Sequence, residues 1–123
     1  MHVRRRHAGW VLLALVLSGA IGCGGDSPSG VAGATFTVHA KDTNKFDQTL
    51  YRVKAGSMTI GYKDDGHLVH TLLIEGHPDF KLAVGSNQLT ASGTITLAPG
   101  TYTMFCDIVG HREEGMVAQL TVE

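Results

Sequence analysis

The chain has 123 residues, enough for one small domain, and its 43% hydrophobic and 17% charged residues are typical of a protein that folds around a core. Its formal net charge is −1, but from Cys23 onward seven Lys and Arg residues stand against eleven Asp and Glu, a net charge of −4. This acidic balance argues against a general nucleic-acid-binding protein. Sixteen glycines and few long apolar runs favour a turn-rich β protein over a helical one.

The first 22 residues are predicted to be a signal peptide. A basic stretch, MHVRRRH, precedes an apolar stretch, AGWVLLALVLSGAIG, which is shorter than the roughly 20 apolar residues that a membrane-spanning helix needs. The residues LSGAIGCGGDSPSG resemble a bacterial lipoprotein signal, although Ala20 stands where Leu is usual. The resemblance implies lipid on Cys23 and an exported protein, periplasmic or at the cell surface, that is anchored to the membrane. Cleavage near Ala20 without lipidation, or an uncleaved anchor, are the alternatives.

Residues 23–33 are predicted to be a flexible tether between this cysteine and the folded domain. The stretch GGDSPSGVAG is rich in Gly and Ser and has no periodic apolar pattern. A flexible segment of this length reaches roughly 16–19 Å. The domain is then predicted to span residues 34–123, which is long enough to bury one core.

Short stretches in which apolar and polar residues alternate follow one another through this domain, and they predict strands. In chain order they are TFTVHAK (35–41), TLYRVKAG (49–56), SMTIGYK (57–63), HTLLIEG (70–76), the strand–turn–strand GTITLAPGTYTMFC (93–106) and MVAQLTV (116–122). Six to eight strands at this spacing indicate an antiparallel sandwich or barrel. Residues 76–92 fit either a short strand or one turn of helix.

The two cysteines are not an obvious disulfide pair. Exported proteins normally pair their cysteines, and a cysteine left over needs an explanation. If Cys23 carries lipid, Cys106 keeps a free thiol. Side chains at i and i+2 of a strand share a face, so Cys106 is predicted to point inward with Met104, at the end of its strand.

The loop after Cys106 carries two further donors for a soft metal ion. The spacing is Cys-x4-His-x4-Met, with the imidazole of His111 and the thioether of Met116. A thiolate, an imidazole and a thioether suit copper better than a hard cation, and a second histidine usually completes such a site. The stretch KDDGHLVHT offers His70, which opens a strand with an inward apolar face, and His67, which lies in the preceding turn and is expected to face solvent.

The stretch GTYTMFCDIVGHREEGMVAQLTV resembles the copper-binding segment of the cupredoxins, the family of plastocyanin and azurin. The stretch FDQTLYRVKAGSMTIGYKDDGHLVHT follows the order of strands that precedes the first ligand histidine in that family. The resemblance covers most of residues 34–123. It implies an all-β, Greek-key sandwich or barrel of about seven to eight strands that binds one type 1 copper ion. The residues that match the copper ligands of the family are His70, Cys106, His111 and Met116.

Two positions near the implied ligands depart from the family pattern. Asp64 stands where Asn is frequent, and Thr71 stands where Asn commonly braces the ligand loop and bonds near the thiolate. Threonine keeps a hydroxyl, but its side chain has a shorter reach. Because groups around the ligands tune a metal site, these departures leave the redox potential open rather than the choice of ligands.

The resemblance implies a monomeric electron carrier that exchanges electrons with partner redox proteins. His111, on the loop, is expected to be the ligand nearest the surface, beside Val109 and Val69. Copper delivery or storage is the alternative, although such proteins tend to use Met-rich or His-rich motifs and this chain has four Met. No enzyme is predicted, because a multicopper enzyme needs more copper sites than 123 residues supply. His39 and His77 show no partner pattern and are expected at the surface.

Overall fold

A computed structural model describes residues 30–123 of the chain. The predicted signal peptide (residues 1–22), the predicted lipid attachment at Cys23 and most of the tether lie outside the described residues. The described part contains nine strands and no helix. A helix that is long and apolar enough to cross a membrane is accordingly not found within residues 30–123.

Two sheets pack face to face, and the predicted all-β architecture is confirmed. The strands are β1 (Phe36–Lys41), β2 (Lys45–Phe46), β3 (Leu50–Val53), β4 (Gly56–Asp64), β5 (His70–Ile74), β6 (His77–Val84), β7 (Thr90–Leu97), β8 (Gly100–Phe105) and β9 (Val117–Val122). One sheet has the order β2-β1-β4-β7, and the other has the order β3-β9-β8-β5-β6.

The sheets are mixed rather than wholly antiparallel. Strands β1 and β4 pair in parallel, as do β3 and β9, whereas the other pairs are antiparallel. Parallel neighbours cannot be joined by a tight hairpin, because the chain must cross over before it returns in the same direction. Here β2 and β3 lie between β1 and β4 in the chain. Alternation along a strand carries no information about the direction of its neighbour.

The core lies between the sheets and is built from every second residue of the strands. In β4 the inward residues are Met58, Ile60 and Tyr62. In β5 the inward residues Leu72 and Ile74 lie on the same face as His70. All of them are buried, as the alternation predicts. The largest fully buried side chains also include Val38, Leu97, Met104 and Leu120. Both sheets therefore contribute to a single apolar core.

Residues 76–92, for which the sequence fits either a short strand or one turn of helix, contain a strand and no helical turn. Strand β6 covers His77–Val84, and its buried residues Phe80, Leu82 and Val84 alternate with exposed ones. A turn closed by paired hydrogen bonds between Gly85 and Gln88 then leads towards β7.

The last residues of the predicted tether contact the first sheet. The amide of Val31 donates to the Thr37 hydroxyl at 2.9 Å, and the amide of Ala34 donates to the Val31 carbonyl at 3.1 Å. Gly61 lets this turn approach β4, since a Cβ atom there would lie 2.7 Å from the Cβ of Val31. The boundary between tether and domain at residue 34 stays a prediction.

The order of strands brings three chain segments to one end of the second sheet. Strand β8 pairs antiparallel with both β5 and β9, with Leu73 opposite Phe105 and Phe105 opposite Val117. The start of β5, the end of β8 and the start of β9 therefore meet. Each of these three points carries or adjoins a residue that the sequence predicts to be a metal ligand.

Candidate metal centre

Three of the four predicted ligands converge at this end of the sandwich. One ligand atom each from His70, Cys106 and His111 lies within 4.8 Å of the other two. The Cys106 Sγ and the His111 Nδ1 are 3.6 Å apart, and the two histidine rings are 5.1 Å apart between centroids. The thiol is buried and forms no disulfide within the described residues. These atoms form a group positioned to hold one metal ion.

The surroundings of His70 fit a metal ligand rather than a structural core histidine. The residue is fully buried, yet neither of its ring nitrogens has a hydrogen-bond partner in residues 30–123. Buried polar atoms normally have such a partner, because leaving one unpaired costs about 1–3 kcal/mol. Burial lowers the pKa of His70, and the neighbouring His111 lowers it further. A neutral imidazole is the form that binds a metal.

Backbone hydrogen bonds hold Met116 against the other two ligands of the loop. The amide of Met116 donates to the His111 carbonyl at 2.9 Å, and the Met116 carbonyl accepts from the amide of Cys106 at 3.2 Å. The side chain of Met116 is fully buried. The residues before His111 and Met116 are Gly110 and Gly115, with φ of 87° and 106°. Only glycine adopts such angles readily, so the tight loop depends on both.

Exposed contacts tie the outside of the ligand loop to neighbouring strands. The Arg112 guanidinium lies 4.4 Å from the centre of the Phe105 ring and donates to Glu75 at 2.8 Å. The Nζ of Lys45 donates to the carbonyl of Glu114 at 2.6 Å. Single exposed ion pairs contribute little to stability, about 0–1 kcal/mol each. These contacts link the loop to β2, to the end of β8 and to the turn after β5.

Thr71 links the thiol to the start of the loop. Although its side chain is shorter than the Asn common at this position, its hydroxyl contacts Asp107. Its amide donates to the Cys106 Sγ at 3.4 Å. Its hydroxyl lies 3.4 Å from the same sulfur but 2.6 Å from the Oδ1 of Asp107, and it accepts from the Asp107 amide at 3.0 Å. A hydroxyl has one proton, so it donates to the nearer carboxylate. The sulfur therefore receives its hydrogen bond from the Thr71 amide.

The carboxylate of Asp107 has a second partner. The ammonium group of Lys81 donates to it at 2.7 Å. This contact and the Thr71 hydroxyl hold the pKa of Asp107 below its usual value, with Lys81 the larger cause. The residue after the thiol is thereby fixed to both β5 and β6.

Replacing Thr71 with valine is expected to weaken this link while sparing the sulfur contact. The variant keeps the amide that faces the Cys106 sulfur but leaves the Asp107 amide without its acceptor. We expect the free energy of unfolding to fall by about 1–3 kcal/mol. Urea unfolding measures this change. Thr101→Val, in an exposed part of β8, is the control and should change the free energy by less than about 0.5 kcal/mol.

The exposure of the predicted ligands differs in the expected way. His111 is half-buried, whereas His70, Cys106 and Met116 are buried. Val109, two residues before His111, is 98% exposed, and Val69 is 58% exposed. This end of the sandwich therefore has the imidazole of His111 close to solvent. Exposed apolar side chains lie near the two ligand histidines in the chain.

The other three histidines within residues 30–123 fall outside the ligand group. The His67 side chain is 89% exposed, as predicted. The prediction of a surface position without a partner is wrong for His39, whose side chain is only 14% exposed and whose Nδ1 lies 2.9 Å from the Oδ2 of Asp65. The ring of His77 lies against that of Tyr102, with 5.6 Å between centroids.

One cluster at this end was not foreseen from the sequence. An oxygen of Asp42, an oxygen of Asp64 and a ring nitrogen of His70 lie within 4.8 Å of one another. Asp42 is exposed and accepts from the amides of His67 and Leu68 at 2.9 and 3.0 Å. Asp64 is 5% exposed. The two carboxylates are 22 residues apart in the sequence, so no local motif marks them.

Comparison with known proteins relates this chain to others through its fold. No protein-family model and no curated protein matches it. Among solved structures, it is similar to the dithionite-reduced auracyanin of Roseiflexus castenholzii, with 19% identity and a TM-score of 0.62 over 71% of this chain and 94% of that one. A mutant plastocyanin of fern has 19% identity and a TM-score of 0.56, covering 71% and 99%. The azurin Az-iso2 of Methylomonas sp. strain J has 18% identity and a TM-score of 0.60, covering 75% and 99%.

Proposed function

The chain has the cupredoxin fold, as the sequence resemblance implied, and we propose that it is a type 1 copper protein that carries single electrons outside the cytoplasm. The observation that carries this proposal is the pairing of a buried thiol with a buried histidine whose ring nitrogens have no other partner in the described chain. Two imidazoles and one thiolate, with a weak thioether, are the donors typical of blue-copper electron-transfer sites.

Each of the four residues has a distinct role in this proposal. Cys106 would supply the thiolate and the strongest bond, His70 and His111 would each supply an imidazole nitrogen, and Met116 would supply a weak thioether donor. Copper held there supplies one-electron chemistry between Cu(I) and Cu(II). The strands and the loop hydrogen bonds hold the donors in place, and burial excludes water from three of them. Little rearrangement is therefore needed when the charge of the site changes.

Electron transfer is a better fit to these contacts than copper delivery or storage. An ion handed to an acceptor protein needs an accessible site, whereas three of the four donors here are buried. The half-buried His111 offers an edge through which electrons reach a partner redox protein. We do not propose an enzyme, because four protein donors leave no position for a substrate on the metal. A monomer anchored through lipid on Cys23, periplasmic or at the cell surface, completes the proposal, supported by the signal-like N-terminus.

The proposal is tested by loading the full-length protein with copper and then cycling it. We expect one copper ion per chain and an intense thiolate-to-copper band in the visible spectrum. Stopped-flow oxidation and reduction by small redox proteins should be repeatable with copper retained. A copper-transfer assay to a Cu(I) chelator, run in parallel, provides the comparison. A colourless product would contradict a type 1 site, and loss of copper within a few redox cycles would favour delivery.

Replacing Met116 with leucine is expected to keep the visible band and raise the reduction potential. The change would remove a weak thioether donor without altering the thiolate or the imidazoles, and loss of such a donor favours Cu(I). Spectroelectrochemistry measures both quantities. Met104→Leu is a matched control, because Met104 is equally buried but lies within β8. A potential that rises equally in both variants would show that Met116 acts through core packing.

A further inference from the structure

An unpaired carboxylate oxygen faces the interior beside the metal centre. Asp64 ends β4 and is 5% exposed. Its Oδ1 accepts from the Gly66 amide at 2.9 Å, whereas its Oδ2 is buried and has no hydrogen-bond partner in residues 30–123. The ring nitrogens of His70 also have no partner in the described chain, and one of them lies within 4.8 Å of an Asp64 oxygen. Two buried polar groups that lack partners therefore lie side by side.

A metal bound to one nitrogen of His70 would determine the protonation of the other nitrogen. A neutral imidazole that binds a metal through one nitrogen carries a proton on the other, and that N–H needs an acceptor. We propose that Asp64 is a positioning residue of the metal centre, whose Oδ2 accepts a hydrogen bond from the His70 nitrogen that does not bind the metal. This inference rests on the proposed copper site.

The other groups nearby are already engaged. The carboxylate of Asp42 accepts from the amides of His67 and Leu68 and is exposed. The hydroxyl of Tyr62 donates to the Thr71 carbonyl at 3.1 Å. The backbone of Asp64 is itself fixed, since its amide donates to the Leu89 carbonyl at 2.8 Å.

A second metal ion between Asp42, Asp64 and His70 is less favoured by these contacts. Such an ion would compete with two backbone amides, those of His67 and Leu68, for the oxygens of Asp42. It would also need the second nitrogen of His70 without its proton. A hydrogen bond from His70 to Asp64 gives both unpaired groups a partner. It leaves the hydrogen bonds of Asp42 intact and keeps the proton on the second nitrogen of His70.

The consequence for the metal centre is electrostatic. A carboxylate that accepts a hydrogen bond from the N–H of a metal-binding imidazole makes that imidazole a more basic ligand and fixes its orientation. The added negative charge favours the more positive ion, Cu(II), over Cu(I). Asp64 would thus tighten Cu(II) binding and lower the reduction potential.

The first test compares Asp64→Asn with Asp65→Asn. The first variant keeps an oxygen for the Gly66 amide but removes the charge beside His70. The control removes the same charge one residue away, where the carboxylate contacts His39 instead. We expect D64N to lower the ratio of Cu(II) to Cu(I) affinities about tenfold, which corresponds to a rise in potential of about 59 mV. D65N should change the ratio by less than about twofold.

The second test observes the hydrogen bond directly. In zinc-loaded, ¹⁵N-labelled protein, we follow the proton on the His70 nitrogen that does not bind the metal. Its NMR resonance is expected at low field, and the proton should exchange slowly with water. D64N should move this resonance upfield and speed its exchange, while D65N should not. This measurement on the wild-type protein also decides the matter should D64N fold poorly.

The outcomes separate this inference from the proposed function. If wild-type protein lacks the thiolate-to-copper band, the copper site itself is wrong. If the band is present but D64N and D65N give equal potentials and unchanged N–H resonances, only the role of Asp64 is overturned. Two metal ions per chain in the wild type, reduced to one by Asp42→Asn, would overturn it in favour of a second cation site.

Discussion

Cys106→Ser is expected to abolish the visible band of the copper-loaded protein and to lower copper affinity more than about a hundredfold. The band arises from charge transfer out of a thiolate, and a serine hydroxyl stays protonated and is a hard donor. Loss of a direct ligand should exceed the roughly 10–100-fold effect typical of groups around the ligands. Absorption spectroscopy and competition with a chelator measure the two effects.

The control for this experiment is His67→Ala. That side chain is 89% exposed and lies three residues before His70, so the change removes a possible copper donor without touching the buried group. The His67→Ala protein should keep the full band and wild-type affinity. A band that persists in C106S, or that disappears in the His67 variant, would contradict the ligand set.

The three donors of the ligand loop could be predicted as one group because their signals are local, whereas the resemblance to the cupredoxins joined His70 to them. Cys106, His111 and Met116 lie on one short loop, and strand alternation placed the thiol on the inward face. His70 could be chosen over His67 because it opens a strand with an apolar inward face, whereas His67 precedes that strand. Spacing and periodicity are both properties of neighbouring residues, so a single sequence contains them.

Most of the contacts around the site could not be predicted, because they join distant segments. Thr71 and Asp107 are 36 residues apart and meet only where β5 lies beside the end of β8. His39 is a similar case, since its contact with Asp65 depends on how β1 packs on β4. Asp64 and His70 are near each other in the sequence, but their approach depends on the course of the turn into β5. The sequence shows each residue but not its approach to the other.

The fold was predictable in class and less so in pairing. Strand β6 does alternate through Phe80, Leu82 and Val84, but its start among His77 and Pro78 concealed the pattern. Strand β2 has two residues, too few for any period to show. The parallel pairing of β1 with β4 depends on a crossover, which leaves no trace in the alternation of either strand.

Leu120→Ala is expected to lower the free energy of unfolding of the metal-free protein by about 2–5 kcal/mol. Leu120 is fully buried at the centre of β9, where Tyr102 of β8 and Tyr51 of β3 are its partners in the sheet. Removing three carbons there leaves a cavity that the two sheets cannot close completely. Urea unfolding gives the change in free energy.

The same variant separates the scaffold from the metal centre. Leu120 lies four residues beyond Met116, away from the end where β5, β8 and β9 converge on the ligands, so the visible band of copper-loaded L120A should keep its wavelength. Leu50→Ala, at a 42% exposed position on neighbouring β3, is the control and should cost about 0.5 kcal/mol or less. Copper binds the folded state and should stabilise both variants and the wild type alike. A shifted band in L120A would show instead that core packing sets the ligand geometry.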